Sequence, residues 1–270
     1  MRINRAVVTL TAATFAAVGA ASWGTGAFAS GVSAPKPTIV LVHGAFADAS
    51  GWRDVVQGLQ ARGYKVVAAA NPLRGLASDS AYVSEVLKGI TGPVVLAGHS
   101  YGGEVITDAA AGNPQVKALV YIAAIAPDKG ESANDVLGAF PGSRLPESLN
   151  TLPYTRADGS AGTDLSIKPD KFRQAFAGDV PAWKASVMAA TQRPIEASSL
   201  ADRGVNATWR SVPSWFLVAT QDQAIPPAAQ RFMAERAHAH TVEVDSSHAA
   251  VVSHPAAVRD IILDAAHSVE

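Results

Sequence analysis

The run Val94-Val95-Leu96-Ala97-Gly98-His99-Ser100-Tyr101-Gly102-Gly103 decides how this chain is read. An apolar strand leads into Gly-x-Ser-x-Gly, and a helix-like stretch follows. A sharp strand-to-helix turn of this kind lifts a serine hydroxyl clear of a sheet edge. Gly98 and Gly102 flank the turn, where β-carbons would crowd the backbone. The N-terminus of the new helix aims N–H groups and the positive end of its dipole at developing negative charge. Ser100 is therefore the candidate nucleophile.

A serine hydroxyl is a weak nucleophile near neutral pH and needs a histidine base held by a carboxylate. Where the serine sits on such an elbow, the acid and then the histidine follow it in the chain. The segments Trp215-Phe216-Leu217-Val218-Ala219-Thr220-Gln221-Asp222 and Val242-Glu243-Val244-Asp245-Ser246-Ser247-His248 supply both. Asp222 falls just past a strand-like run and before Ile225-Pro226-Pro227, in a loop at a strand's carboxyl end, where open parallel sheets bind ligands. Asp128 and Asp245, also at strand ends, are the alternative acids. His248 lies on a loop between a short strand and a helix opening near Pro255, which leaves its ring free to reach the elbow. His254 reads as a helix-start residue, His238 and His240 as a solvated helix end, and His267 as a helix surface residue. His43 and His99 read as supports of the site rather than as bases. Two backbone donors are needed for the oxyanion. One is the N–H of Tyr101; the other comes from the loop after Thr38-Ile39-Val40-Leu41-Val42-His43-Gly44, with Ala45 as first choice and Phe46 as the alternative.

Together, His43-Gly44-Ala45 with Trp52, Gly98 through Gly103, Asp222 before Ile225-Pro226, and His248 resemble the α/β-hydrolase superfamily. The likeness spans about residues 37 to 268 and is greatest to small bacterial esterases and to the plant methylesterase and hydroxynitrile lyase group. It implies nucleophile, acid and base roles for Ser100, Asp222 and His248, with oxyanion donors at Ala45 and Tyr101. The lyases of that group carry a threonine after the first histidine and a lysine after the catalytic one. Here those positions are Gly44 and Ala249, which points away from cyanohydrin cleavage.

Elsewhere, strand-like and helix-like stretches alternate. Trp52, Val55, Val56 and Leu59 repeat at helical spacing, as do Tyr82, Val83, Val86, Leu87 and Ile90, with strands between and after them. The expectation is an α/β fold, a mostly parallel sheet covered by helices on both faces. Between about residues 127 and 212 the pattern changes: prolines punctuate short helical pieces, and Asp158-Gly159-Ser160-Ala161-Gly162 marks a turn. This insert is expected to form a helical cap placed before the triad acid. Its bulky apolar members are Phe140, Leu145, Leu152, Tyr154, Phe172, Phe176, Trp183 and Met188.

Arg2 and Arg5, an apolar stretch from Ala6 to about Ala21, and Ala27-Phe28-Ala29 read as a cleaved secretory signal over residues 1–29. A linker at 30–36 and one domain at 37–270 follow, and the mature protein is expected outside the cytoplasm, without a membrane anchor. The sequence has no cysteine among its 270 residues, which excludes disulfides, a lipoprotein anchor and a thiol nucleophile. A net charge of −1 without basic or acidic blocks argues against nucleic acid as a partner. No metal-ligand spacing is present, and neither a metal nor a cofactor is expected. The chemistry expected is hydrolysis of a small to medium carboxylic ester by a monomer or homodimer. Lactone or amide hydrolysis and perhydrolysis use the same triad, and a ligand-binding protein on a hydrolase scaffold is the alternative from another class.

Overall fold

Residues 35–270 are described in a computed structural model. The expected signal segment, and residues 30–34 of the expected linker, lie outside the described residues. Five short, mainly apolar runs and a more polar, exposed edge strand form one sheet: β1 (Thr38–Val42), β2 (Val66–Ala69), β3 (Val94–His99), β4 (Val116–Ile122) and β8 (Ser214–Ala219), with β9 (His240–Val244) at the edge. Their order is β2-β1-β3-β4-β8-β9, and every pairing is parallel. Runs such as Thr-Ile-Val-Leu-Val in β1 are buried on both faces, as a sheet between two helical layers requires.

Alternate residues of each strand serve opposite layers. Val40, Val42, Leu96, Leu119, Tyr121 and Phe216 pack with Val83 and Leu87 of α2 (Leu76–Lys88), Val105 and Ile106 of α3 (Tyr101–Ala109) and Met233 of α8 (Pro227–Arg236). Ile39, Leu41, Val95, Ala97, Val120 and Leu217 pack with Val55 and Leu59 of α1 (Arg53–Gln60) and with Val258 and Ile262 of α10 (Pro255–His267). Burial of roughly 1.5–3 kcal/mol per large aliphatic side chain on each face holds the three layers together. The second helix starts at Leu76, ahead of the periodic set that begins at Tyr82, with Gly75 at φ 132° turning the chain directly into it.

The chain runs outward from β1 to β2 and returns on the far side of β1 as β3. The carboxyl ends of β1 and β3 therefore flank a topological switch point, where a crevice opens for a ligand. Val42 is in register with Gly98, so the loop after β1 and the turn after β3 start side by side.

Between β4 and β8 lies the insert, and it is not purely helical. Alongside α4 (Ala133–Ala139), α5 (Leu145–Ser148), α6 (Pro169–Phe176) and α7 (Ala182–Thr191), it holds a three-stranded antiparallel sheet of β5 (Leu149–Thr155), β6 (Ala161–Ile167) and β7 (Ile195–Glu196). The expected helical cap is corrected to a mixed one. The turn read at Asp158–Gly162 closes the β5–β6 hairpin, with Arg156 N–H donating to the Ser160 carbonyl at 2.8 Å. The sequence carries little strand signal here because β5 is largely exposed and lacks apolar alternation, and because it contains Pro153, which only an edge strand tolerates. The cap is tied to loops at the carboxyl ends of the main strands. Glu196 N–H donates to the Leu73 carbonyl (3.0 Å), Arg144 N–H to that of Gln223 (2.7 Å), and Ala249 N–H to that of Phe176 (3.0 Å).

Candidate active site

Ser100 sits between β3 and α3 at φ 56° and ψ −129°, a left-handed conformation that costs a non-glycine residue free energy. Its neighbours explain how the turn closes. A β-carbon on Gly98 would come within 2.4 Å of the Gly102 carbonyl oxygen, and one on Gly102 within 2.5 Å of that of Val42. The elbow is thus wedged against β1 and supported by backbone contacts on both sides. The serine is 8% exposed.

His248 and Asp222 meet it there. The Ser100 hydroxyl lies 2.8 Å from His248 Nε2, and His248 Nδ1 lies 2.7 Å from Asp222 Oδ2. A carboxylate can only accept, so Nδ1 carries the proton and Nε2 is left to accept from the serine hydroxyl. Both His248 and Asp222 are buried. Asp222 accepts four hydrogen bonds: Oδ1 from the N–H groups of Ala224 (2.7 Å) and Ile225 (2.9 Å), and Oδ2 from Gln230 Nε2 (2.8 Å) and His248. Charge-assisted bonds of this kind fix the carboxylate in one orientation.

The alternative acids lie elsewhere. Asp128 pairs with the Arg210 guanidinium, which holds its carboxyl below the usual range. Among the described residues, Asp245 accepts only a long bond from Thr220 Oγ1, at 3.4 Å. Among the other histidines, His254 lies between α9 (Ala250–Ser253) and α10 without a side-chain bond to the start of α10, His267 ends α10, and His240 opens β9 with its ring stacked on Trp215 at 4.9 Å, a strand position rather than the helix end expected.

Phe46, the alternative oxyanion donor, has φ 59°, and the loop bearing it folds over the elbow. A β-carbon on Gly44 would fall 2.6 Å from Ser100 Cβ and 3.1 Å from Tyr101 N. Among the described residues, no protein acceptor takes the N–H of Ala45, Phe46 or Tyr101. His43 and His99 occupy adjacent strand ends behind the site. His99 Nε2–H donates to the His248 carbonyl at 2.8 Å, and its ring packs edge-on to Trp52 and Phe176. Burial, together with the neighbouring His248, pushes the His99 imidazole down to about 3, so it stays neutral while it holds the His248 backbone. His43 is also kept neutral by burial and bonds through Nδ1 to the Gly44 carbonyl at 2.9 Å.

Gln230 was not singled out in the sequence. Completely buried, it donates to Asp222 and to the Ile225 carbonyl (2.8 Å each) and accepts from Ala219 N–H (2.9 Å). A signal was present: it shares the buried stripe of α8 with Ala229, Met233 and Ala234, where a polar residue needs partners. A groove of about 360 Å³ opens beside Phe46, between the loop after β1 and α7, with Trp183, Val187, Met188 and Val252 among its walls. A narrower cavity of about 30 Å³ shares Met188 and Val252 with it and reaches His43, His99, Phe176 and Ala249.

An open parallel sheet with a strained serine turn at its switch point defines a class, and comparison with known proteins gives the family. Residues 39–261 match the alpha/beta hydrolase family, and the chain belongs to it. Among its relatives, the pyrethroid hydrolase of Sphingobium wenxiniae is 27% identical over 254 residues, 84% of this chain and 86% of that protein. Methylesterase 1 of Arabidopsis thaliana is 27% identical over 223 residues, 73% of this chain and 83% of that protein. The crystal structure of polyneuridine aldehyde esterase shares the fold with a TM-score of 0.74 at 22% identity, covering 85% of this chain and 99% of that one.

Proposed function

We propose that this chain is a serine hydrolase that cleaves small to medium carboxylic esters through an acyl-enzyme. The observation that carries the reading is the unbroken line of hydrogen bonds from Asp222 through His248 to Ser100, ending at a hydroxyl on a strained turn. In the first half-reaction Ser100 Oγ attacks the ester carbonyl carbon while His248 Nε2 takes the hydroxyl proton. Asp222 holds the tautomer and stabilises the imidazolium, and the N–H groups of Ala45 and Tyr101 receive the oxyanion. The C–O bond to the alcohol then breaks, and the imidazolium gives its proton to the departing alkoxide. In the second half, water loses a proton to His248 and attacks the acyl carbon, which releases the acid and restores Ser100.

Ester rather than amide substrates are favoured by the relatives, which include a pyrethroid hydrolase and a methylesterase. Export from the cytoplasm is part of the same proposal and rests on the pattern of residues 1–29.

A panel of p-nitrophenyl esters, lactones and anilides, offered to the mature protein and to Ser100→Ala, tests the reading. Ester turnover that vanishes in the variant is expected. Equal turnover in both proteins, or ligand binding without turnover in either, would refute it.

A further inference from the structure

One turn of the cap grips the chain on both sides of His248. α6 ends at Phe176, and Ala177-Gly178-Asp179-Val180 lead from it towards α7. The Ser247 hydroxyl, just before His248, donates to the Asp179 carboxylate. Ala249 N–H, just after it, donates to the Phe176 carbonyl at 3.0 Å and makes a longer bond, 3.3 Å, to the Ser247 oxygen. The Phe176 ring stands edge-on to the imidazole with centroids 4.7 Å apart. Asp179 also places its second oxygen 3.4 Å from His254 Nδ1.

The turn is braced on its own side. Ala177 N–H donates to the Arg173 carbonyl (3.0 Å), Val180 N–H to that of Ala177 (3.1 Å), and Arg173 Nε to that of Val180 (3.2 Å). A braced turn bonded to both chain neighbours of a side chain limits how far that side chain can drift. The limit matters here. The His248–Ser100 bond is 2.8 Å long, and a drift of 1 Å would carry it beyond hydrogen-bonding range.

We propose that Asp179 is a positioning residue for His248, and that the cap turn at 176–179 sets the base within reach of Ser100. The cap is then part of the catalytic socket as well as a cover, and lifting this turn from the core disables proton transfer. The inference rests on reading Ser100 and His248 as nucleophile and base.

Kinetics of Asp179→Ala and Ser247→Ala on p-nitrophenyl acetate test it, with Asp179→Asn and Ser247→Thr as conservative partners that keep an acceptor and a hydroxyl. A 1 Å misplacement costs on the order of a hundredfold. The alanine variants should lose about ten- to a hundredfold in kcat with KM changed less than about threefold, and phosphonylation of Ser100 should slow by a similar factor. Because both remove the Ser247–Asp179 bond, the loss in the double alanine variant should fall short of the product of the two single losses. Ser247→Thr and Asp179→Asn should recover most of the rate. Should Asp179→Ala fail to fold, Ser247→Ala and its threonine partner decide the matter. Wild-type kcat in the alanine variants, a rise in KM at constant kcat, or a loss that the conservative variants do not restore would overturn the proposal. If Ser100→Ala is inactive while these variants behave as wild type, only the positioning role fails. Ester turnover surviving in Ser100→Ala removes the underlying reading instead.

Discussion

Replacing Asp222 by asparagine keeps the shape of the side chain but removes an acceptor. In the native site two fixed backbone N–H groups point at Oδ1, while Gln230 and His248 point at Oδ2. An amide nitrogen in the Oδ1 position would face both backbone donors, which cannot turn away. The amide therefore places its nitrogen at the Oδ2 position, where the bond from Gln230 is lost but His248 can adapt by giving up the proton on Nδ1 and accepting there. That imidazole carries its proton on Nε2 and can no longer accept one from Ser100. The same replacement in a serine protease triad lowers kcat by about ten thousandfold, which corresponds to roughly 5 kcal/mol of lost transition-state stabilisation. Steady-state hydrolysis of p-nitrophenyl acetate should show that loss mainly in kcat, with the folded state retained by circular dichroism. A kcat within tenfold of wild type, or a larger loss in Asp128→Asn or Asp245→Asn, would refute the assignment of the acid.

Glu104, completely buried on α3, has neither carboxyl oxygen hydrogen-bonded among the described residues, and burial with Asp108 and Asp202 nearby raises its pKa well above the usual range. The folded state then holds this proton more tightly than the unfolded one. Its contribution is fully present below the unfolded pKa of about 4.3 and is lost as pH rises towards the folded value. Melting temperatures across that range should fall more steeply for the wild type than for Glu104→Gln; parallel curves would contradict this. Gln230→Leu leaves Ala219 N–H, the Ile225 carbonyl and one position on Asp222 unpartnered, so urea unfolding should show a loss of about 1–3 kcal/mol, and an unchanged midpoint would argue against the bridge. With Ala249 beside the base in place of a lysine, cyanide released from mandelonitrile should stay at the buffer background. Release that depends on Ser100 would place the chemistry among the lyases.

What the sequence disclosed follows from how local each signal is. Gly98, Ser100 and Gly102 form a turn whose residue pattern is complete within five residues, although Gly102 answers to the Val42 carbonyl on β1, and the strands around it are buried on both faces and therefore continuously apolar. The order of Ser100, Asp222 and His248 was readable because each closes an apolar run, and parallel strands deliver such loops to one edge. The β5–β6–β7 sheet was not readable, since its strands lie on an exposed hairpin where no core imposes alternation. Gln230 and Asp179 escaped for another reason. Their partners lie 8 and 68 residues away along the chain, and nothing in their own neighbourhoods distinguishes them from surface residues except, for Gln230, the helical stripe it shares.

The most direct measurement is to map where a fluorophosphonate reacts with the protein, by peptide mass spectrometry, while following hydrolysis of p-nitrophenyl acetate in the same sample. One adduct, on Ser100, should form, with ester hydrolysis lost in proportion to labelling and no adduct in Ser100→Ala. Labelling on another serine, or hydrolysis that persists when Ser100 is fully modified, would contradict the assignment of Ser100 as the nucleophile.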